Sequence, residues 1–161
     1  RKEDTLLVLG AGGGVGSAAL QLARADGVDT IAVASESKRD WVRSLGARFV
    51  ESGERFAAEI TETVDGILDL VGGDTLRNAA SLVLSGDKII SVADPVTAMT
   101  LGGSGVERDR STAAFARLAE SASTGVIHPR IDHLFPLERA GEALALVETG
   151  HVLGKVVIEV A

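Results

Sequence analysis

The chain has 161 residues, a formal net charge of −7 at pH 7 and no cysteine. This acidic balance argues against nucleic acid and anionic membrane surfaces as partners, and the absence of cysteine excludes disulfides and thiolate zinc sites within the chain. Hydrophobic residues make up 45% of the sequence but aromatic residues only 3%, so the core of this single domain must consist of Ala, Val, Leu and Ile, which is typical of a parallel sheet covered on both faces.

Residues 6–22 combine an apolar run that stops at Gly10, a glycine-rich turn and the apolar spacing of a helix. This order predicts a strand, a tight turn and a helix over residues 14–25. A helix that begins directly after a turn presents free backbone N–H groups and the positive end of its dipole, which suits a phosphate. Glycines there permit positive φ, close approach of a pyrophosphate and close packing of the helix on the strand. The turn is therefore predicted to bind a dinucleotide.

The strict motif G-x-G-x-x-G does not fit this turn, because Val15 stands where the third glycine should be. The frame that fits ends at Gly16 and has alanine in its first position. The predicted cofactor-binding residues of the turn are Ala11, Gly12, Gly13, Gly14 and Val15. The alternative is a glycine-rich turn used only for packing. A nucleoside triphosphatase loop is disfavoured, since Ser17 follows Gly16 where that motif requires Lys.

A second β-rich run, residues 30–34, is followed by Ser35 and a charged stretch. At the end of such a strand an acidic residue accepts a hydrogen bond from a ribose 2′-hydroxyl, whereas a basic residue accommodates a 2′-phosphate. Ser35, Lys38 and Arg39 can all donate to a phosphate, while Glu36 favours the hydroxyl. We therefore expect NADP(H) as the cofactor. The alternative is that Lys38 and Arg39 are solvated residues of a first helical turn.

The remaining sequence alternates between β-rich and helical patterns. Further strands are predicted over residues 48–50, within 64–71, and over 88–93, 131–137 and 155–160. Further helices are predicted over residues 38–45, 56–63, 74–84, 112–123 and 138–149. Strands alternating with helices form right-handed βαβ units, so we predict an α/β fold: a Rossmann-type doubly wound parallel sheet in the order 3-2-1-4-5, with helices on both faces.

Several positions carry local signals for where these elements begin and end. Ser37 and Asp40 have the spacing of a capping box, and Asp74 and Ser111 are predicted to cap the helices that follow them. Residues 99–101 offer a strand stub. Residues 102–105 have the composition of a flexible linker, so a sixth strand is predicted to be weak or missing.

The ends of predicted strands four and five should face the ribose and nicotinamide of the cofactor, since open α/β sheets bind ligands at that edge. We therefore expect contacts from Val71, Gly72, Val92 and Ala93. Asp69 serves either this site or the turn that follows it. No residue is predicted to be catalytic, because no side chain is a convincing acid, base or nucleophile; in hydride transfer the cofactor carries the chemistry.

His128, His133 and His151 are poorly spaced for a metal site, so they are predicted to be surface residues and no metal is expected. Residues 5–23 are uncharged and long enough to span a bilayer, but their glycines and central turn make that interpretation poor. Without a signal-peptide pattern, the default expectation is a cytoplasmic protein.

Six motifs occur along almost the whole chain. They are the glycine turn at residues 10–17, Ser-Leu-Gly-Ala at 44–47, Asp-Leu-Val-Gly-Gly at 69–73, the run at 86–93, Phe-Pro-Leu at 135–137, and Gly-His at 150–151 with Gly-Lys-Val-Val at 154–157. In this order they resemble the cofactor-binding half of the medium-chain dehydrogenase/reductase superfamily, in its zinc-independent quinone oxidoreductase and enoyl reductase branch. The resemblance implies hydride transfer from NADPH to a small-molecule quinone or enone, or another activated double bond.

The chain departs from this family in two ways. The catalytic lobe that precedes the domain in the family is missing, so residues 1–161 are expected to be a dinucleotide-binding fragment that is inactive by itself. The resemblance also implies a longer stretch between residues 94 and 109, with a sixth strand near the nicotinamide, where this chain has the Gly/Ser stretch. The alternative function is a non-catalytic nucleotide-sensing or partner-binding module. The oligomeric state stays open, a homo-oligomer included.

Overall fold

The computed structural model describes residues 4–150 and 152–160. In chain order the strands are β1 (Thr5–Leu9), β2 (Asp29–Ala34), β3 (Arg48–Glu51), β4 (Gly66–Asp69), β5 (Ile89–Ser91), β6 (Ser104–Gly105), β7 (Ile131–Pro136) and β8 (Lys155–Glu159). The α-helices are α1 (Gly14–Ala25), α2 (Arg39–Ser44), α3 (Gly73–Ala79), α4 (Pro95–Thr100), α5 (Thr112–Ser123) and α6 (Ala140–Glu148).

The first six strands form one parallel sheet in the order β3-β2-β1-β4-β5-β6. Leu7 of β1 lies opposite Ile31 of β2 on one side and Ile67 of β4 on the other. The strand order therefore reverses at β1, and such a switch point is where open α/β sheets bind ligands at their carboxyl edge. The predicted order of the first five strands is confirmed.

Two apolar clusters lie on opposite faces of this sheet. Successive residues of β1 alternate between them, because side chains of a strand point to opposite faces: Leu7 and Leu9 belong to one cluster and Val8 to the other. The first cluster includes Leu76, Ala79 and Ala98 from α3 and α4, and the second includes Leu20 and Val42 from α1 and α2. The predicted helices on both faces are thus confirmed.

The Gly/Ser stretch predicted as a flexible linker contains the sixth strand, although that strand has only two residues. β6 pairs with Ile90 and Ser91 of β5. A Cβ on Gly103 would overlap the carbonyl oxygen of Ile89, so glycine lets the chain run close beside β5. Composition indicated a linker here because the same small residues serve both flexibility and close backbone packing.

The strand stub predicted at residues 99–101 is wrong, because residues 95–100 form helix α4. Pro95 is its first residue, and the Asp94 carboxylate accepts a hydrogen bond from the Thr97 N–H at 2.9 Å. Proline at the first position after an acidic N-cap is a strong helix start. The predicted helix over residues 56–63 is also reduced, to a 3-10 turn at Phe56–Glu59.

Two of the three predicted helix caps are wrong. Residues Glu36–Lys38 form a 3-10 turn and α2 begins at Arg39 without a side-chain cap, so the expected capping box at Ser37 does not form. Asp74 lies inside α3 and pairs with Arg77 instead of capping the helix. Ser111 does cap α5, since its side chain accepts from the Ala114 N–H.

The C-terminal third is mostly exposed and forms a separate two-stranded parallel sheet, β7 with β8. It meets the main domain along α1. Gln21 of α1 donates to the His128 carbonyl at 3.4 Å and accepts from the His128 N–H at 2.7 Å, and Gly13 forms a bridge with Gly154. These contacts bring the start of β8 to the glycine turn. In the described part of the chain, no helix is long and apolar enough to cross a membrane.

Candidate functional site

The turn between β1 and α1 is fixed by backbone hydrogen bonds. The N–H groups of Gly10 and Ala11 both donate to the Val33 carbonyl of β2, at 3.0 and 3.1 Å, and the Gly13 N–H donates to the Gly10 carbonyl at 3.2 Å. Gly10 has φ +78°, a conformation that side-chain-bearing residues rarely adopt. The turn is therefore held against the carboxyl ends of β1 and β2, with Ala11 fully buried.

Gly16 permits direct packing of α1 on this turn. A Cβ at Gly16 would lie 2.6 Å from both the Ala11 Cα and the Gly10 carbonyl oxygen. The first hydrogen bond of the helix runs from the Ser17 N–H to the Gly13 carbonyl. The N–H groups of Gly14 and Val15 precede that bond and have no acceptor among the described residues. Together they form the kind of helix N-terminus that binds phosphates.

Lys38 crosses the glycine turn from the side of β2. A Cβ at Gly12 would overlap the Lys38 Cδ and lie 2.9 Å from its Cβ, so the alkyl chain of Lys38 lies against Gly12. Lys38 forms no ion pair within the described residues, and burial lowers the pKa of its ammonium group. A cation that has lost part of its hydration without gaining a carboxylate suits an anionic ligand.

Ser35 and Arg39 occupy different surroundings. Ser35 directly follows β2, is half-buried and shares a hydrogen bond of 3.2 Å with the Ser37 hydroxyl. Arg39 is engaged by Glu36, with Nε donating to Oε1 at 2.7 Å and Nη2 to Oε2 at 2.5 Å. This pairing lowers the pKa of Glu36 and raises that of Arg39. Of the two predicted phosphate-binding cations, Arg39 is thus paired, whereas Lys38 has no ion-pair partner in the described part of the chain.

A cleft of about 380 Å³ opens at the carboxyl ends of β1, β2 and β4. Its lining residues are Gly10, Val33, Ala34, Ser35, Ser52, Gly53, Val71 and Thr75. The volume falls within the range of small-molecule sites, about 300–1,000 Å³. A larger groove of about 540 Å³ lies between α1, α2 and residues 125–128, but it contains none of the strand ends and none of the glycine turn. The cleft at the strand ends is therefore the candidate site.

Asp69 fixes the loop after β4. Its carboxylate is fully buried; Oδ1 accepts from the N–H groups of Val71 at 3.0 Å and Gly72 at 2.9 Å, while Oδ2 accepts from the Ser91 hydroxyl at 2.5 Å. The structure therefore gives Asp69 the turn role. Because these two N–H groups are already used, contact of this loop with a cofactor must come from the Val71 side chain and from carbonyl oxygens.

Asp94 joins the loop after β5 to the loop after β4. The Asp94 N–H donates to the Ser91 hydroxyl oxygen at 2.8 Å, and the Asp94 carboxylate accepts from the Gly73 N–H at 3.2 Å. Val92 and Ala93 lie between these anchors and are exposed at the same edge of the sheet as Val71. The structure thus brings the predicted residues after β4 and β5 to one edge, through a hydrogen-bond network that starts at Asp69.

Asp94 makes stability depend on pH. Hydrogen bonds from Thr97 and then from the Gly73 N–H hold the pKa of Asp94 below its usual 3.8. A depressed pKa stabilises the fold above the unfolded-state pKa of about 3.9, and this contribution is lost as pH falls through the folded-state value. We expect Asp94→Asn to lower the urea midpoint at pH 7, with the difference from wild type shrinking below about pH 4. A constant difference from pH 7 to pH 3 would contradict this role.

Lys155, which sequence reasoning missed, lies beside the glycine turn. A Cβ at Gly14 would overlap both Cε and Nζ of Lys155, so the ammonium group lies beside the N-terminus of α1. Lys155 has no carboxylate partner among the described residues. The Gly-Lys pair at 154–155 was visible in the sequence, but nothing local shows that β8 begins next to Gly13.

His128 and His133 lie away from the cleft at the strand ends. His128 and His133 are exposed, which confirms the prediction for these two, and His133 Nε2 lies 3.4 Å from the Asp132 carboxylate. His151 lies outside the described residues. Across residues 4–150 and 152–160, no group of three His, Cys, Asp or Glu side chains is arranged to hold a metal ion.

The known proteins that this chain resembles are oxidoreductases. The chain is 31% identical to the mitochondrial NAD(P)H oxidoreductase RTN4IP1 of Bos taurus, covering 96% of this chain and 48% of that protein. It is 29% identical to the chloroplastic NADPH-dependent alkenal/one oxidoreductase of Arabidopsis thaliana, covering 96% of this chain and 40% of that protein. The first alignment runs over 188 positions although this chain has only 161 residues, so the relative carries residues that have no counterpart here.

The quinone oxidoreductase of Coxiella burnetii has a similar structure, with a TM-score of 0.88 and 28% identity over 98% of this chain and 53% of the other. The chain thus spans about half the length of the relatives it matches. A family model described as zinc-binding dehydrogenase matches residues 45–158. The chain therefore belongs to the zinc-binding dehydrogenase family, within the medium-chain dehydrogenase/reductase superfamily.

Proposed function

We propose that this chain is the cofactor-binding domain of an oxidoreductase that uses NADP(H) to reduce a quinone or an activated double bond. The observation that carries the proposal is the glycine turn: Lys38 lies against Gly12 and Lys155 against Gly14, and within residues 4–150 and 152–160 neither ammonium group has a carboxylate partner and the first N–H groups of α1 have no acceptor. The names of the relatives support it, since they include an NAD(P)H oxidoreductase, an NADPH-dependent alkenal/one oxidoreductase and a quinone oxidoreductase.

Different residues of the chain would bind different parts of the cofactor. The glycine turn would hold the pyrophosphate, with Lys155 adding charge at the N-terminus of α1. Ser35 and Lys38 would hold a ribose 2′-phosphate at the end of β2. The loops after β4 and β5 would contact the nicotinamide half through Val71, Gly72, Val92 and Ala93. When bound, the nicotinamide supplies or accepts the hydride, and the protein orients it.

The described residues do not fit a zinc site, because they include no cysteine and no cluster of three metal-ligating side chains. No step of the proposed reaction is therefore assigned to a metal. The same proposal includes a small-molecule substrate and a cytoplasmic location. Two of the relatives differ in location, since one is named as a mitochondrial and the other as a chloroplastic protein.

The two lysines are expected to have separable effects. Lys38→Met keeps most of the alkyl chain on Gly12 but removes the charge, so it should weaken binding of 2′,5′-ADP while leaving 5′-AMP, which lacks only the 2′-phosphate, unchanged. Lys155→Met should weaken both nucleotides, because both carry a 5′-phosphate. Each loss should be about 1–3 kcal/mol, or about 5- to 150-fold, as for charge-assisted hydrogen bonds. Isothermal titration calorimetry with both nucleotides measures the four affinities.

Replacing Lys38 and Arg39 together with alanine should likewise weaken NADPH but not NADH, by about 1–3 kcal/mol. A variant that loses both cofactors equally would contradict the role given to the end of β2. In that case Lys38 and Arg39 would be solvated residues of a helical turn, the alternative that their sequence left open.

The isolated chain is expected to bind NADPH without turning it over. Hydride transfer needs the reacting atoms held at about 3–3.5 Å, yet the side chains nearest the nicotinamide end are open, with Val71 52% and Val92 42% exposed. NADPH oxidation should therefore stay near background with a panel of quinones and enones. Turnover at about 1–1,000 per second, as in ordinary enzymes, would contradict this expectation.

Activity that appears when a separate catalytic-lobe polypeptide is added would support the fragment interpretation. Cofactor binding that never leads to turnover, even with that lobe present, would favour a nucleotide-sensing module.

A further inference from the structure

Arg39 is held by Glu36 in the geometry that a phosphate would use. Both carboxylate oxygens accept from the guanidinium, Oε1 from Nε at 2.7 Å and Oε2 from Nη2 at 2.5 Å. The same bidentate fork binds phosphate oxygens. The guanidinium also lies over the Phe49 ring of β3, with its carbon 4.7 Å from the ring centroid, so the arginine is oriented even before a ligand arrives.

The pair lies beside the proposed 2′-phosphate position. Ser35 directly follows β2 and precedes Glu36, while Lys38 directly precedes Arg39. The Lys38 side chain points toward the glycine turn and contacts Gly12, whereas the Arg39 side chain points toward β3 and lies over the Phe49 ring. The two cations therefore lie on opposite sides of the end of β2, and one of them, Arg39, is bound by the Glu36 carboxylate.

We propose that Glu36 limits the preference for 2′-phosphorylated cofactors by competing with the 2′-phosphate for Arg39. This inference rests on the proposed function. When the ligand has a 2′-hydroxyl, the pair stays closed. When it has a 2′-phosphate, the phosphate replaces the carboxylate on Arg39, and Glu36 remains nearby as a repelling charge.

The exchange is feasible because the pair is exposed. The side chains of Arg39 and Glu36 are 36% and 54% exposed, and exposed ion pairs contribute little to stability. Other charges surround the pair without joining it: Asp40 and Glu51 act on Arg39, and Arg43 acts on Glu36, through space. Glu36 is the carboxylate that hydrogen-bonds Arg39, so it is the one to remove.

The test uses Glu36→Gln and calorimetric titration with 2′,5′-ADP and with 5′-AMP, which differs from it only in lacking the 2′-phosphate. Glu142→Gln is a matched control, because Arg139 and Glu142 form a similar fork, at 2.8 and 2.6 Å, with Arg139 over Phe135 at 5.5 Å. That pair lies in the C-terminal third, away from the cleft. Glu36→Gln should bind 2′,5′-ADP at least about threefold more tightly than wild type without gaining affinity for 5′-AMP, and Glu142→Gln should match wild type.

Adding Arg39→Gln to Glu36→Gln should remove the gain, because the gain requires the freed guanidinium. If wild type binds both nucleotides and Glu36→Gln leaves their ratio unchanged, Glu36 does not limit the preference, although the cofactor assignment stands. A gain that survives in the double variant, or that Glu142→Gln reproduces, also overturns the proposal. If wild type binds neither nucleotide, the proposed function fails and this inference fails with it.

Discussion

Replacing Asp69 with alanine is expected to lower the free energy of unfolding by about 3–5 kcal/mol. The side chain is fully buried and accepts three hydrogen bonds, from the Val71 N–H, the Gly72 N–H and the Ser91 hydroxyl. Alanine leaves these donors without a partner, and each buried unpaired donor costs about 1–3 kcal/mol. A domain of this size is stable by only about 5–15 kcal/mol, so the loss approaches what the fold can tolerate.

Urea denaturation followed by circular dichroism measures this effect. Asp69→Asn should lie between wild type and Asp69→Ala, because its amide oxygen still accepts from the two backbone donors. Asp74→Ala is the control: it removes a carboxylate of α3 that is 92% exposed and pairs with Arg77, and it should leave the midpoint unchanged. A loss below about 1 kcal/mol for Asp69→Ala would mean that water replaces the carboxylate without cost.

Replacing Gly16 with alanine is expected to destabilise the domain by about 1–3 kcal/mol, the usual cost of overpacking a close contact. The new Cβ would meet backbone atoms, the Ala11 Cα and the Gly10 carbonyl oxygen, at 2.6 Å. Backbone cannot rotate away as a flexible side chain can, so α1 must shift from the turn. The shift moves the free N–H groups of Gly14 and Val15, and dinucleotide affinity should fall at least tenfold.

Gly141→Ala is the matched control for Gly16→Ala. Gly141 lies in the first turn of α6, and a Cβ there would meet nothing within 4 Å. The same substitution should therefore stabilise the domain slightly, since alanine is the better helix former. Equal destabilisation by both substitutions, or unchanged nucleotide affinity in Gly16→Ala, would contradict the packing role of Gly16.

Most of the fold could be predicted because its signals are local. The strand, glycine turn and helix of residues 6–25 follow from apolar spacing and from the residues that a tight turn requires. Asp94 also has a local signal, because an acidic residue directly before proline favours the start of a helix. This signal conflicts with the strand predicted over residues 99–101, and the structure follows the helix signal. The sixth strand is as weak as predicted, but its position at Ser104–Gly105 could not be predicted, since its two residues are stabilised by pairing with β5 and not by their own propensity.

The site was predictable only where neighbours in space are neighbours in sequence. Ser35, Lys38 and Arg39 follow one strand, so their grouping was visible. The pairing of Arg39 with Glu36 has helical spacing and could be foreseen, but the Phe49 ring beneath it comes from another strand. Lys155 reaches Gly14 only because β7 and β8 return to α1. Such long-range contacts leave no periodic trace in the sequence.

The central claim is that this chain binds NADP(H), and the most direct measurement is calorimetric titration of the chain with NADPH and with NADH. Calorimetry is preferred to the fluorescence of Trp41, because that side chain lines the groove between α1, α2 and residues 125–128 and not the cleft at the strand ends. Saturable binding of one NADPH per chain, tighter than NADH, is the predicted result. Binding of neither cofactor would contradict the account, and equal affinity would remove the role given to Ser35 and Lys38.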